Sequence, residues 1–233
     1  KKNISNFQKS FKSFSPLICF AIKSNTNINL IKEIKKFGLG ADVVSIGELL
    51  IAIKAGINPK KIVFSGVGKT TKELSYAIDR NVLLINAESK SEIKEINRIA
   101  KLKRKKVQIG IRLNPNTDAK TLSKISTGKK ENKFGVNEKT FFEIIDYCKN
   151  LNKIDYKFEF IDLGGGMGIS YGDNDKKLNY EKYNSVIKKF LKKHNSKIIF
   201  EPGRSIIGNT GILISQVIYI KESGTKSFII LDA

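Results

Sequence analysis

The sequence predicts an α/β fold, a parallel barrel of the (β/α)8 type that lacks about one βα unit, followed by the start of a C-terminal β-domain. Three observations carry this. Short, continuous apolar runs alternate with segments of helical period, as in strands buried on both faces. The units recur about every 20 residues through the first half, a regularity that favours a closed barrel over an open sheet. Only seven such runs occur, where closure of this barrel needs about eight.

The strands fall at 17–22, 41–44, 62–64, 83–85, 107–113, 158–162 and 197–201. Between them the apolar spacing predicts helices over 28–37, 46–55, 71–80, 89–101, 138–150 and 179–194. Thr70 or Thr71 and Ser89 stand where a hydroxyl caps the first free amides of a helix. Between Gly135 and Gly164 there is room for one helix and one strand, so the shortfall lies there. After residue 210, two apolar runs, Gly211 to Ile220 and Ser227 to Asp232, read as a hairpin.

Chemistry concentrates at the strand ends. Lys23 closes the run Leu17 to Ile22 and precedes the polar Ser24-Asn25-Thr26-Asn27. An amine in this position suits Schiff-base chemistry, because partial desolvation is expected to lower its pKa and leave some of it nucleophilic. The last two strands end in Gly164-Gly165-Gly166 and in Glu201-Pro202-Gly203-Arg204. Glycines admit an anion close to backbone N–H groups, Arg204 adds a charge-assisted contact, and barrels often bind phosphate after their last two strands. A lone Gly-Gly-Gly is more often a flexible turn; two such loops beside a strand-end lysine point to an anion cradle. Glu88 suits the first turn of a helix, and Arg112, Asn114, Pro115 and Asn116 suit a plain turn.

AIKSN at 21–25, ADVVSIGEL at 41–49, IVFSGVGKT at 62–70, STGKKENKFGV at 126–136, IDLGGGMGI at 161–169 and EPGRSIIGNTG at 201–211 together resemble the diaminopimelate decarboxylases. These belong to the pyridoxal-phosphate-dependent barrel decarboxylases, the alanine racemase and ornithine decarboxylase type of barrel. The resemblance runs in order from about residue 7 to the C-terminus. It implies pyridoxal 5'-phosphate as cofactor, with Lys23 as its catalytic attachment point and Glu201 beside the pyridine nitrogen. It assigns Gly165, Gly166, Pro202, Gly203 and Arg204 to cofactor binding around the phosphate, and Arg204 also to a substrate carboxylate. Asp42 and Ser45 would lie near the attachment point, although Asp42 also reads as an N-cap of the helix that opens near Gly47. The implied reaction is decarboxylation of meso-diaminopimelate to lysine, the last step of lysine biosynthesis. Ornithine, arginine or carboxynorspermidine decarboxylation, or a non-catalytic cofactor-binding barrel, stay open as alternatives.

Two departures accompany the matches. The family's unit that ends in a His-x-Gly-Ser motif is missing near 147–155, and the only histidine, His194, belongs to a lysine-rich helix end. The family's later loop and tyrosine, which complete the site across a homodimer interface, have no counterpart after residue 233. The expected organisation is therefore a cofactor-binding barrel over 1–210 and the beginning of a β-domain over 211–233, in a chain of poor catalytic activity. The chain does not begin with Met, which suits a start inside a longer reading frame.

A formal charge of +21 invites nucleic acid as a partner, but the lysines are spread along every predicted helix rather than gathered on one face with aromatics. Neither nucleic acid nor membrane is expected as a partner. Cys19 and Cys148 form no CxxC pair and no disulfide framework, and no apolar run approaches a membrane span. A cytoplasmic protein acting on a small amino acid, without metal, fits these features.

Overall fold

The computed structural model describes residues 1–114, 116, 133–152, 157–171 and 178–233. Seven parallel strands form one sheet: β1 (Leu17–Ala21), β2 (Gly40–Val43), β3 (Ile62–Phe64), β4 (Leu84–Ala87), β5 (Ile109–Ile111), β6 (Phe160–Asp162) and β7 (Lys197–Phe200). Their order is β5-β4-β3-β2-β1-β7-β6, so the first strand pairs in the middle, with β2 on one side and β7 on the other. β5 and β6 are the two edges.

The sheet curls into a barrel wall. Asn86 at the end of β4 donates to Asp162 at the end of β6 at 3.4 Å, although four strands separate them in the sheet. At the opposite rim Gln108, before β5, donates to Glu159, before β6, at 2.9 Å. The edges thus approach through side chains while their backbones stay unpaired, leaving a slit where an eighth strand would sit. This is the gap expected from counting strands. The helix α6 (Glu138–Asn152) lies outside it, with Tyr147 under the Lys90 amine on one flank and Phe141 stacked on Phe158 on the other. Residues 153–155 of the expected junction lie outside the described residues.

The other helices lie close to expectation: α2 (Ile28–Lys35), α3 (Ile46–Lys54), α4 (Thr71–Asp79), α5 (Lys90–Leu102) and α7 (Tyr180–Leu191). Local chemistry starts each of them. Asn27, Ser45, Ser89 and Asn179 accept amides of the first turn, and Thr70 with Glu73 forms a full capping box. The expected run 107–113 shortens to three residues paired on β4; past them Leu113 makes a parallel bridge to Val136 on the outer side.

Two elements were not foreseen. The N-terminal α1 (Lys2–Ser10) buries Ile4 and Phe7, and with Phe11 it packs Phe7 against Phe200 and Tyr180. The four-residue α8 (Arg204–Ile207) follows β7 directly and touches α1. The main core lies between helices and sheet, while Cys19, Val63, Leu84 and Ile199 fill the barrel interior. The C-terminal hairpin pairs β8 (Val217–Ser223) with β9 (Lys226–Leu231), fully exposed. Its first strand starts six residues later than the apolar run at Gly211, since Ile212 to Ile214 have no ladder partner. No described helix is long and apolar enough to cross a membrane.

Candidate active site

Alternation along the strands positions the site. Cys19, Val63, Leu84, Phe160 and Ile199 line the barrel interior, so the residue two positions further along each strand points the same way, one layer nearer the C-terminal mouth. Those residues are Ala21, Ser65, Asn86, Asp162 and Glu201. Asp42 joins them from β2. The apolar interior thus gives way to a polar layer within one residue pair on β3, β4, β6 and β7, while β1 contributes the small Ala21.

Lys23 stands above this layer on a single 3-10 turn, Ile22–Ser24, that follows β1. Its amine lies 2.8 Å from Asp42 Oδ2. Asp42 is fully enclosed, and its other oxygen, Oδ1, has no partner among the described residues. The loop 201–204 packs directly on the 3-10 turn. Ala21 donates its amide to the Pro202 carbonyl at 3.2 Å, and a Cβ on Gly203 would lie 3.0 Å from the Ser24 side chain. The two glycine loops also meet: Glu201 donates its amide to Gly164 O at 2.8 Å, and a Cβ on Gly165 would stand 2.3 Å from the Glu201 carbonyl oxygen. Gly164 and Gly166 hold φ of 65° and 74°, the left-handed region that glycine adopts without strain. Beyond them the backbone borders open space, since a Cβ on Gly166 or Gly168 would meet nothing within 4 Å.

The electrostatics correct one expectation. Enclosure does press the Lys23 pKa down, but the Asp42 contact, with Glu201 and Glu48 further off, outweighs it, and the net pKa is raised. Lys23 is therefore held as a cation in the ligand-free chain rather than poised as a free amine. Glu201 moves well above the usual carboxylate range because enclosure and the neighbouring Asp42 and Asp162 all penalise its charge. Asp162 is raised by enclosure, against the hydrogen bond with Glu201 and the Gly164 amide, which favour its charge.

The remaining expected residues lie around this layer. Ser45 N-caps α3, accepting the Glu48 amide at 3.3 Å, and Asp42 is the ion-pair partner of Lys23 rather than a cap. Glu88 precedes the Ser89 cap instead of sitting in the helical turn. Its carboxylate takes Arg112 at 3.0 Å and the Gly135 amide at 2.8 Å, because β5 brings both to the same rim. Asn114 donates to Phe134 O at 3.0 Å; Pro115 and residues 126–132 of the basic loop lie outside the described residues. His194 stacks on Phe190 beyond α7, at the rim opposite the site. Arg204 opens α8 beside Gly203. Asp162, Asn86 and Ser65 were missed as site residues. Strand parity was the available signal, each being two residues past an interior apolar side chain.

The family model described as pyridoxal-dependent decarboxylase, pyridoxal binding domain, matches residues 1–155 and 139–208. Its two pieces overlap at 139–155, the stretch where the missing unit is expected. A diaminopimelate decarboxylase of Aquifex aeolicus is 38% identical over 269 residues, covering the whole of this chain and 64% of its own length. Against the 233 residues here, that leaves 36 positions within the aligned stretch without a counterpart in this chain. One from Helicobacter pylori (strain J99) is 39% identical and is covered over 66% of its length. The crystal structure of the Helicobacter pylori enzyme complexed with L-lysine superposes with a TM-score of 0.91 at 38% identity, over all of this chain and 67% of that one. The chain thus spans about two thirds of the length of these relatives.

The cofactor of this family is pyridoxal phosphate, and the site fits it. An enclosed carboxylate oxygen without a partner lies beside a strand-end amine, a carboxyl group held above its usual range faces them, and a glycine cradle borders open space. The chain belongs to the pyridoxal-dependent decarboxylases, as a relative of their diaminopimelate-specific members.

Proposed function

We propose that this chain forms the cofactor-binding part of a diaminopimelate decarboxylase. It would remove the carboxyl group of meso-diaminopimelate to give lysine, as the last step of lysine biosynthesis. The observation that carries this reading is the Lys23–Asp42 pair, set between two glycine loops and facing Glu201. The L-lysine in the Helicobacter structure agrees with such a product.

Bound pyridoxal phosphate supplies an electron sink for the electron pair left when the carbon–carbon bond breaks. The chain's residues then divide the remaining work. Asp42 orients the Lys23 amine and stabilises its positive charge until the amine attaches the cofactor. Glu201 carries a proton for the ring nitrogen. Gly165, Gly166, Pro202, Gly203 and Arg204 hold the phosphate, and Arg204 also meets a substrate carboxylate. Ser45 lies with Asp42 near the attachment point of the cofactor and also fixes the start of α3.

Residues 1–210 make the barrel domain and 211–233 begin a second, β-rich domain. The chain acts in the cytoplasm, as a homodimer whose sites need residues from a second copy. Activity is impaired, because the slit removes one wall of the site and no imidazole is available to stack on the ring.

Purified chain supplied with pyridoxal phosphate and meso-diaminopimelate is expected to bind the cofactor and to form lysine far below roughly 1 per second, the lower end of ordinary turnover. Turnover at or above that rate overturns the impaired reading. Failure to bind the cofactor overturns the assignment as a whole and leaves the fold as a non-catalytic barrel.

A further inference from the structure

Below the Lys23–Asp42 pair lies an arrangement that cofactor attachment does not explain. Asp162 and Glu201 close the adjacent strands β6 and β7, and their carboxyl groups are enclosed in the same polar layer. Two carboxylates enclosed side by side repel each other, and a proton on one of them removes that repulsion and lets the pair share a hydrogen bond. The rest of the layer fixes them in place. Asp162 Oδ1 accepts the Gly164 amide at 2.8 Å and Oδ2 faces the Asn86 amide at 3.4 Å. The same Asn86 group donates to Ser65 Oγ at 3.2 Å, and Ser65 donates to Glu201 Oε1 at 3.4 Å. Asn86 is itself pinned: the buried Lys69 amine donates to its carbonyl at 2.8 Å, and its side-chain oxygen lies where a Cβ on Gly110 would stand, at 2.1 Å.

We propose that Asp162 is a positioning residue for Glu201. Through the Asn86–Ser65 relay and the Gly164 amide, it holds a shared proton on the pair in the ligand-free chain, for delivery to a ring nitrogen that arrives unprotonated. The proposal rests on the reading of Glu201 as the partner of that nitrogen. Charge balance supports it. The titratable or charged groups facing the pair are Lys23 and Cys19 from β1 and its following turn, and Asp42 from β2. With Cys19 neutral and Lys23 cationic, three carboxyls bearing one proton leave a single net negative charge. Transfer of that proton puts a cation against the two carboxylates with no proton drawn from solvent. The bond broken is O–H on Glu201 and the bond formed is N–H on the ring, with no other change in either partner.

Infrared spectroscopy of the ligand-free full chain at neutral pH tests the pair without any cofactor. One protonated-carboxyl C=O band per chain is expected, lost in Glu201→Gln, where the new amide donates the hydrogen bond and Asp162 ionises; in Asp162→Asn, where enclosure and Asp42 still act on Glu201, the band is expected to titrate away at lower pH. Absence of the band in the unsubstituted chain, or an unchanged titration in Asp162→Asn, overturns the proposal. Should Asp162→Asn fail to fold, carbon-13 NMR of the unsubstituted chain decides: two carboxyl signals titrating together support the shared proton, and two independent ordinary titrations overturn it. Calorimetry in buffers of different ionisation enthalpy then counts protons on pyridoxal phosphate binding, and above the pH at which its band is lost Asp162→Asn is expected to take up about one more than the unsubstituted chain. An equal count overturns delivery of the proton, whereas a retained band with no cofactor binding at all counts against the functional reading alone.

Discussion

The Lys23 amine and Asp42 Oδ2 lie 2.8 Å apart across the boundary between an accessible side chain and a fully enclosed one. Asp42 has no other described partner for its second oxygen, so the amine is its main compensation for leaving water. Removing that compensation by Lys23→Ala is expected to leave an uncompensated carboxylate and to lower the unfolding midpoint, while Asp42→Asn with Lys23 kept is milder. The two denaturation curves measure the difference.

The same pair sets an alkaline limit. Lys23 has its pKa raised above the ordinary 10.5, so the folded chain binds the proton more tightly than the unfolded one. Its contribution is complete below the ordinary lysine value and disappears as pH rises through the raised one. Unfolding free energies measured on both sides of that window should converge for the unsubstituted chain and Asp42→Asn at the alkaline end. Curves that stay parallel contradict the assignment.

Borohydride reduction in the presence of pyridoxal phosphate is expected to label the peptide that contains Lys23. Peptide mass analysis checks this, and a label carried mainly by another lysine contradicts it.

For Glu201 the sign runs the other way from an ordinary ion-paired carboxylate. Its pKa is raised by enclosure and by Asp42 and Asp162, so stability is greatest below the ordinary carboxylate value of 4.5 and falls as pH rises through the raised one. Glu201→Gln is therefore expected to be more stable than the unsubstituted chain at mildly alkaline pH and to lose that advantage in acid. Thermal unfolding at two pH values reads the crossing.

Arg204→Ala is expected to weaken pyridoxal phosphate binding by about 1 to 3 kcal/mol, the range for a charge-assisted hydrogen bond, and to weaken pyridoxal itself much less. Equal losses for the two ligands, measured by absorbance titration, exclude a phosphate contact.

Much of the fold was legible because its strands are continuous apolar runs and its helices carry their caps in the sequence: Thr70 with Glu73, and Ser89, mark their helices before any contact is known. The α1 helix was not legible, since Lys2–Ser10 is short and polar on average, and only packing of Phe7 and Phe11 on Phe200 orders it. Phe11→Ala should accordingly cost about 3 to 5 kcal/mol by chemical denaturation. At the site, Lys23 and the glycine loops stood out through composition at strand ends. Asp162, Asn86 and Ser65 did not, because an Asp, an Asn and a Ser after an apolar run also fit ordinary turns. Only the curl of the sheet brings Asn86 to Asp162. The Lys23 pKa was misjudged for a related reason: enclosure is visible in an apolar run, but an acid supplied by the next strand is not.

The pairing of Leu17 with Ile199 sets when the site can exist. A chain emerging from the ribosome at about 5 to 20 residues per second exposes Lys23 and Asp42 early, while Asp162 and Glu201 are still to be made. For that interval β1 has β2 on one flank and nothing on the other, an open edge that invites a wrong neighbour. Lys23 and its Asp42 partner are thus among the first parts of the cluster to be synthesised and the last to be enclosed. A cofactor that needs Glu201 and the 201–204 loop can engage only once synthesis has passed residue 204, long after the lysine that is to hold it has left the ribosome.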